Sequence, residues 1–182
     1  VAARPVPWVT VRGSVSRGVR APTFIELYGD RGAVVGNPDL RPERAIQADG
    51  GMSLEFDPHP DVDGSVEFGG YVRDTEELIV LVPNAARVGV PQNIGRALVG
   101  GIETHGELRA GPFEGRLALT ANLGSRILDG EAGTVGNRVP HVPLWQASAS
   151  LAFVYRSLLR VQWSFVGVGG TFDSPSNFFE QS

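Results

Sequence analysis

The chain has 182 residues and contains neither cysteine nor lysine, so all 16 of its basic residues are arginines. Without cysteine there is no disulfide framework, no thiolate metal site and no cysteine nucleophile. The longest apolar run, Leu78 to Val82, falls far short of the ~18 residues of a transmembrane helix. The first residues lack the basic-then-apolar profile of a signal peptide. Twenty acidic residues leave a net charge of −4, which argues against binding to nucleic acid or another polyanion. The 24 glycines and 13 prolines amount to about a fifth of the chain, below the roughly 25–30% of low-complexity disorder. A folded domain is expected, with the whole chain, 1–182, as one unit.

Strict alternation of apolar and polar residues recurs along the chain, the mark of a two-faced strand. From Trp8 to Arg17, Val9, Val11, Gly13 and Val15 oppose Thr10, Arg12, Ser14 and Ser16. From Glu43 to Phe56, Ile46, Ala48, Met52, Leu54 and Phe56 oppose Gln47, Asp49, Ser53 and Glu55. The third segment, Ser65 to about Thr75, sets Val66, Phe68 and Val72 against Glu67, Tyr71 and Arg73; the fourth, Asn93 to Arg109, sets Ile94, Leu98, Ile102 and Leu108 against Asn93, Glu103, His105 and Arg109. A fifth puts Leu117, Leu119, Ala121 and Leu123 opposite Arg116, Thr120, Asn122 and Arg126. Trp145 to Phe153 and Leu159 to Phe165 complete a set of seven, and Pro22 to Gly29 leaves room for one short helical turn.

Segment and connection lengths separate a membrane barrel from a soluble sheet, which alternates in the same way. Several runs reach ten or more residues, enough for a tilted strand to cross a bilayer, against a mode of roughly 5–6 in soluble sheets. Connections alternate between short (57–64, 110–114, 155–157) and long (18–42, 76–92, 127–139), as in outer-membrane barrels with short periplasmic turns and long external loops. Four charges carry apolar-face parity: Arg17, Arg44, Asp74 and Arg96. All fall toward one rim, where a lipid-facing charge costs about 0–1 kcal/mol instead of the 2–4 of mid-bilayer. Phe56, Phe153 and Tyr155 fall toward the other rim as an aromatic girdle. The expected fold is therefore all-β, an antiparallel transmembrane β-barrel. Bacterial barrels have an even number of strands, at least 8, so seven strands make only part of one. Residues 167–182 read as an outer loop.

Within this pattern, Arg20-Ala21-Pro22-Thr23-Phe24-Ile25-Glu26-Leu27-Tyr28, then Asn37-Pro38-Asp39-Leu40-Arg41-Pro42-Glu43, resembles the barrel of TonB-dependent outer-membrane receptors. Further matches follow in order: Tyr71-Val72-Arg73-Asp74 with Leu78-Ile79, Asn93-Ile94-Gly95-Arg96-Ala97 with Gly101-Ile102-Glu103, and Arg138-Val139-Pro140-His141-Val142-Pro143. The resemblance covers essentially the whole chain. It implies about seven strands of a plugged barrel of roughly 22, with the plug domain and the last strands absent. It also implies energy-coupled uptake of a scarce nutrient, such as an iron–siderophore or vitamin B12, across the outer membrane of a Gram-negative bacterium. The implied partners are the TonB complex, acting through the plug, outer-membrane lipid and a small-molecule ligand such as a metal chelate or cobalamin. No enzyme activity and no cofactor are expected. The alternatives are a porin without a plug, which would lack these motifs, and a soluble β-sheet binding module, which would extract without detergent.

The motif residues also have a plain folding reading: Pro22 and Pro38 fix backbone angles, Asn37-Pro38 favours a turn, and Pro42 forces Arg41 toward extended geometry before a strand. Arg12, Glu67, Tyr71, Arg73, Glu103, His105 and Arg109 share the polar face and would look into the lumen, to pair as ladders between strands or to contact plug or substrate. Glu103 and His105 are spaced for two metal ligands but lack a third, so no metal site is expected. Glu76-Glu77 is a pair of adjacent carboxylates that would point to opposite faces, which argues against acid–base chemistry. The external-loop arginines Arg20, Arg31 and Arg41 are matched by Asp30, Asp39 and Glu43, so charge alone selects no ligand.

Overall fold

A computed structural model of the chain describes residues 1–30, 32–86, 88–130, 133–156, 158–177 and 180–181. Its framework is an 8-stranded antiparallel sheet. The strands are β1 (Ala2–Val6), β2 (Val9–Arg20), β3 (Glu43–His59), β4 (Val62–Glu76), β7 (Arg96–Ala110), β8 (Phe113–Asp129), β9 (Trp145–Tyr155) and β10 (Leu159–Val168), paired in that order. Two short hairpins stand outside it, β5 (Ile79–Pro83) with β6 (Gly89–Asn93) and β11 (Thr171–Phe172) with β12 (Glu180–Gln181), and α1 (Phe24–Tyr28) is the one helix among the described residues. Among those residues β1 and β10 do not pair, so the sheet is an open piece of a barrel.

Seven of the eight sheet strands are the seven alternating segments. The eighth, β1, has no readable alternation because Pro5 and Pro7 interrupt it and its register against β2 shifts between Ala3 and Val6. Register then sorts the side chains into rows. Val11, Met52, Phe68, Thr104 and Leu119 lie side by side across five strands on the apolar face; on the polar face Thr10, Ser53, Glu67, His105 and Ala118 do the same. Val11, Phe68, Ile102, Leu117 and Phe165 are exposed, which water would penalise and lipid would not. On β7, Leu98 to Leu108 is about 10 steps of ~3.3 Å. At a tilt of ~40° that spans about 25 Å, the height of the apolar band of an outer-membrane barrel.

Short turns collect at one end and long connections at the other. At the turn end the Phe113 and Phe153 rings pack 5.4 Å apart, and Phe56 and Tyr155 are exposed. Phe113 belongs with this aromatic set but starts a strand longer than its alternation shows. At the loop end a hydrophobic core assembles: Val80, Ile94, Ala97, Ile127 and Val139, flanked by Leu78, Val82, Val99 and Val142.

Two readings of the alternation are corrected there. Gly100 pairs with Gly124 but Gly101 with Asn122, so Leu123 bulges out and residues 124–127 change face, until a second shift at Leu128 brings Asp129 opposite Arg96. Arg126, expected on the polar face, pairs with Leu98 on the apolar face, and Ile127 turns inward and is fully buried. Asn93 and Ile94 do not open the fourth sheet strand. Gly95, at φ 78°, breaks the chain there, and a Cβ on it would lie 2.3 Å from the Asp129 carbonyl oxygen. Asn93 therefore ends β6 and Ile94 drops into the core.

Candidate functional site

The polar face carries ion pairs that run across the strands. Asp63 and Arg109 are direct partners on β4 and β7, 3.4 Å apart, and Glu107 and Arg116 are direct partners on β7 and β8, also at 3.4 Å. Arg12 on β2 reaches Glu67 on β4 at 2.9 Å, passing over β3 where the residue opposite Arg12 is Gly51 and no side chain intervenes. Arg160 on β10 likewise reaches Glu114 on β8 at 3.0 Å, beside Ala152. These pairs are largely exposed, and each contributes about 0–1 kcal/mol. They make the face wettable. His105 stands opposite Glu67, and Glu103 lies two residues away on the same face.

Toward the loop end the face deepens into a recess of about 860 Å³. Arg12, Asp49, Tyr71, Arg73 and Glu103 form its polar floor, and Leu78, Val80, Val142 and His141 close over it. Gly101 is required here. A Cβ on it would sit 2.4 Å from the Ala121 carbonyl oxygen and 2.9 Å from the Tyr71 hydroxyl, so the glycine lets the tyrosine lie flat across β7. The Tyr71 hydroxyl donates to Asn122 Oδ1, and Asn122 Nδ2 donates to the Pro143 carbonyl at 2.6 Å. That chain of bonds ties the 139–144 segment down across the recess and presents His141, itself at φ 59°.

The motif residues after β2 form a second cluster. Thr23 caps α1 through a capping box: its hydroxyl accepts from the Glu26 N–H at 3.3 Å and its own N–H donates to Glu26 Oε2 at 2.6 Å. Arg20 donates through Nη1 to both Glu26 oxygens at 3.1 Å and forks onto Glu43 at 2.7 and 2.9 Å. Burial pushes the Glu26 carboxyl up, but the Thr23 N–H, the Arg20 guanidinium and the Thr23 hydroxyl outweigh it and leave it below the ordinary range. Asp30 is lowered by the amides of Val34, Ala33 and Gly32, which donate to one of its oxygens. Asn37 accepts from the Asp39 N–H and donates to the Pro91 carbonyl at 3.0 Å, and Leu40 is buried. Ala21, Pro22, Leu27, Pro38 and Pro42 shape the same loop.

The structure thus gathers Arg20, Glu26, Asn37, Leu40 and Glu43 at the loop end. Arg12, Glu67, Tyr71, Arg73, Glu103, His105 and Arg109 lie along the polar face, with Gly101 beneath Tyr71. Arg20 and Arg41 are engaged by Glu43, Glu26 and Glu77, which removes them as free cations, and Arg31 lies outside the described residues. The sequence offers no site role for Asn93, Asn122 or His141. Asn93 and Asn122 act through backbone partners distant in sequence, and only the chirality of the local backbone distinguishes His141.

The family model "TonB dependent receptor-like, beta-barrel" matches residues 2–182. Among solved structures the chain is similar to the ferric yersiniabactin uptake receptor FyuA from Yersinia pestis, at 20% identity and TM-score 0.70 over 99% of this chain and 26% of that one. It is also similar to the siderophore receptor PirA from Acinetobacter baumannii (19%, TM-score 0.66, 94% and 28%). A third is the hemophore receptor HasR from Serratia marcescens, solved with its hemophore HasA and heme (16%, TM-score 0.66, 92% and 31%). No curated protein matches the chain. The chain spans about a quarter to a third of the length of these structures, and at such identities the likeness shows the fold. The chain belongs to the TonB-dependent receptor family, as part of its β-barrel.

Proposed function

We propose that this chain is a wall segment, with its outer loops, of a receptor that takes up a scarce nutrient across the outer membrane of a Gram-negative bacterium. The cargo is a metal chelate, a siderophore or heme complex, or cobalamin. The observation that carries this reading is the two-faced sheet: an exposed apolar face on one side, an ion-paired polar face on the other, and at one end loops folded inward over a recess. A lipid-spanning wall needs every backbone group paired, so the open edges at β1 and β10 are completed by further strands of a barrel of roughly 22. A plug domain elsewhere in the polypeptide fills the lumen and engages the TonB complex.

In this reading Arg12, Glu67, Tyr71, Arg73, Glu103, His105 and Arg109 line the path of the cargo or face the plug, while Arg20 through Glu43 serve to fold the outer loops. The polar face holds water and exchangeable hydrogen-bond partners along the path, which lets a polar chelate leave one contact for the next. No step makes or breaks a covalent bond in the cargo, so the protein acts as a transport receptor and not as an enzyme.

The test is deletion of the full-length gene in its host, followed by uptake of ferric catecholate, ferric hydroxamate, heme and cobalamin, with and without a functional TonB. Loss of one of these uptakes in both the deletion and the TonB-deficient strain supports the reading. Unchanged uptake of all four, or uptake that survives loss of TonB and rises linearly with concentration, overturns it; the second result is that of an open porin.

A further inference from the structure

Long external loops are usually pictured as separate flaps, each free to move on its own. The contacts at the loop end of this sheet bind them to one another instead. Glu43 is the centre: its side chain is 5% exposed, a buried carboxylate that needs several partners to be tolerated. It receives the Arg20 fork from the end of β2, and through Arg20 it is joined to Glu26 on α1. Its Oε1 also accepts from the N–H of Ile79, the first residue of β5, at 2.8 Å.

A second row of bonds runs parallel to the first. Asn93, at the end of β6, accepts from the Arg41 N–H at 2.9 Å and donates to the Arg41 and Glu77 carbonyls at 3.0 and 2.7 Å. Arg41 pairs with Glu77 at 3.0 Å, and Glu77 is held at φ 57°, a strained conformation that its surroundings must impose. Gly89 joins the two loops through its backbone, its carbonyl accepting from the Val35 N–H and its N–H donating to the Ala33 carbonyl. The other side of the hairpin contributes Val80, and Ile94 follows it, to the core shared with Ile127 of β8 and Val139 of the next loop.

The geometry points to a single latched roof: the 21–42 loop, the β5–β6 hairpin and the 139–144 segment form one body, and Glu43 is the positioning residue that couples the first to the second. Opening of the mouth is then a concerted movement of this roof relative to the sheet, and the charged motif residues serve mechanics instead of ligand capture. The inference rests on the barrel reading only for the location of the roof and does not depend on the identity of the cargo.

The test uses the full-length receptor in outer-membrane vesicles, spin-labelled at Tyr28→Cys on α1 and Leu81→Cys on β5, both exposed positions. The expected distance distribution is single and as narrow as that of a reference pair within the sheet, Val15→Cys with Leu117→Cys. Glu43→Ala broadens the Tyr28–Leu81 distribution at least twofold. Glu43→Gln, which keeps an acceptor for Ile79 but loses the charge facing Arg20, gives an intermediate width. A wild-type distribution much broader than the reference overturns the latch even if Glu43→Ala does not fold, and so does an unchanged width in a folded Glu43→Ala. Asn93→Ala, which leaves the Glu43 cluster intact, is expected to broaden the distribution less. Failure of the wild-type protein to enter the membrane would instead refute the barrel reading, so the two failures are distinct.

Discussion

Ile127→Ala tests the register that the structure assigns to β8. Ile127 has no exposed surface and packs with Val80, Ile94, Ala97 and Val139. The substitution removes three carbon atoms, about 2.4 kcal/mol of transfer free energy at ~0.8 kcal/mol per buried CH₂, and the cavity left behind brings the expected cost to about 2–5 kcal/mol. The loss falls on the junction of the roof with the sheet, because the β7–β8 ladder itself does not depend on the side chain. The assay is hydrogen exchange on the folded full-length receptor. Amides of β5, β6 and Ile94 should exchange roughly 30-fold or more faster, as ~2 kcal/mol requires, while those of β3 and β4 remain protected. Leu128→Ala is the control: Leu128 is 42% exposed and the change should have little effect. Simple alternation places Ile127 on the lipid side with Leu123, where truncation would leave the roof untouched. Unchanged protection of β5 and β6 in Ile127→Ala would therefore refute the bulge and the shared core together.

Other substitutions test other parts of the account. Ile102→Arg, near the middle of the apolar face, should cost about 2–4 kcal/mol of folding into vesicles, while Glu103→Arg, the next residue, should cost far less; comparable losses in urea titration of the heat-modifiable form would count against a lipid-facing side. Gly101→Val forces a contact with the Ala121 carbonyl and the Tyr71 ring and should lower stability by about 1–3 kcal/mol, whereas Gly18→Ala, with open space around it, should be near neutral; the denaturation midpoints decide. Acidification should loosen α1 and its loop. The Glu26 and Asp30 carboxyls are held below their ordinary values, so their stabilisation is complete above the ordinary carboxylate range and is lost as pH falls through the lowered folded values. Protease sensitivity of residues 21–42 should rise below about pH 4, and increased protection on acidification would contradict this.

The strands were legible because a wall between lipid and water must alternate at every step, and the rim charges Arg17, Arg44, Asp74 and Arg96 were legible because lipid tolerates charge only there. What escaped the pattern escaped for local reasons. One extra residue at Leu123 reversed the faces of Arg126 and Ile127, and no residue-type signal marks a bulge of that kind. The β5–β6 hairpin is short and has prolines on both strands, Pro83 and Pro91, so it reads as loop, and β1 is hidden by Pro5 and Pro7. On the polar face the membership of Arg12, Glu67, Tyr71 and Arg73 followed from parity, but their partners did not. Arg12 finds Glu67 two strands away because Gly51 leaves the intervening place empty. The Glu43 and Asn93 networks join residues far apart in sequence, and only the folded loops bring Ile79 to Glu43 and Asn93 to Arg41.

As a membrane wall, this sheet has lipid on one side and a water-filled lumen on the other. A fluorophore placed singly at each position from 98 to 108 of β7, in the full-length receptor on a cysteine-free background, tests it most directly. Quenching should alternate with a period of two. Positions 98, 102 and 108 should respond to nitroxide lipids and not to aqueous iodide, and positions 103, 105 and 107 should do the reverse. Equal access of iodide to both sets, or no response to the lipid quencher anywhere along the strand, would contradict it.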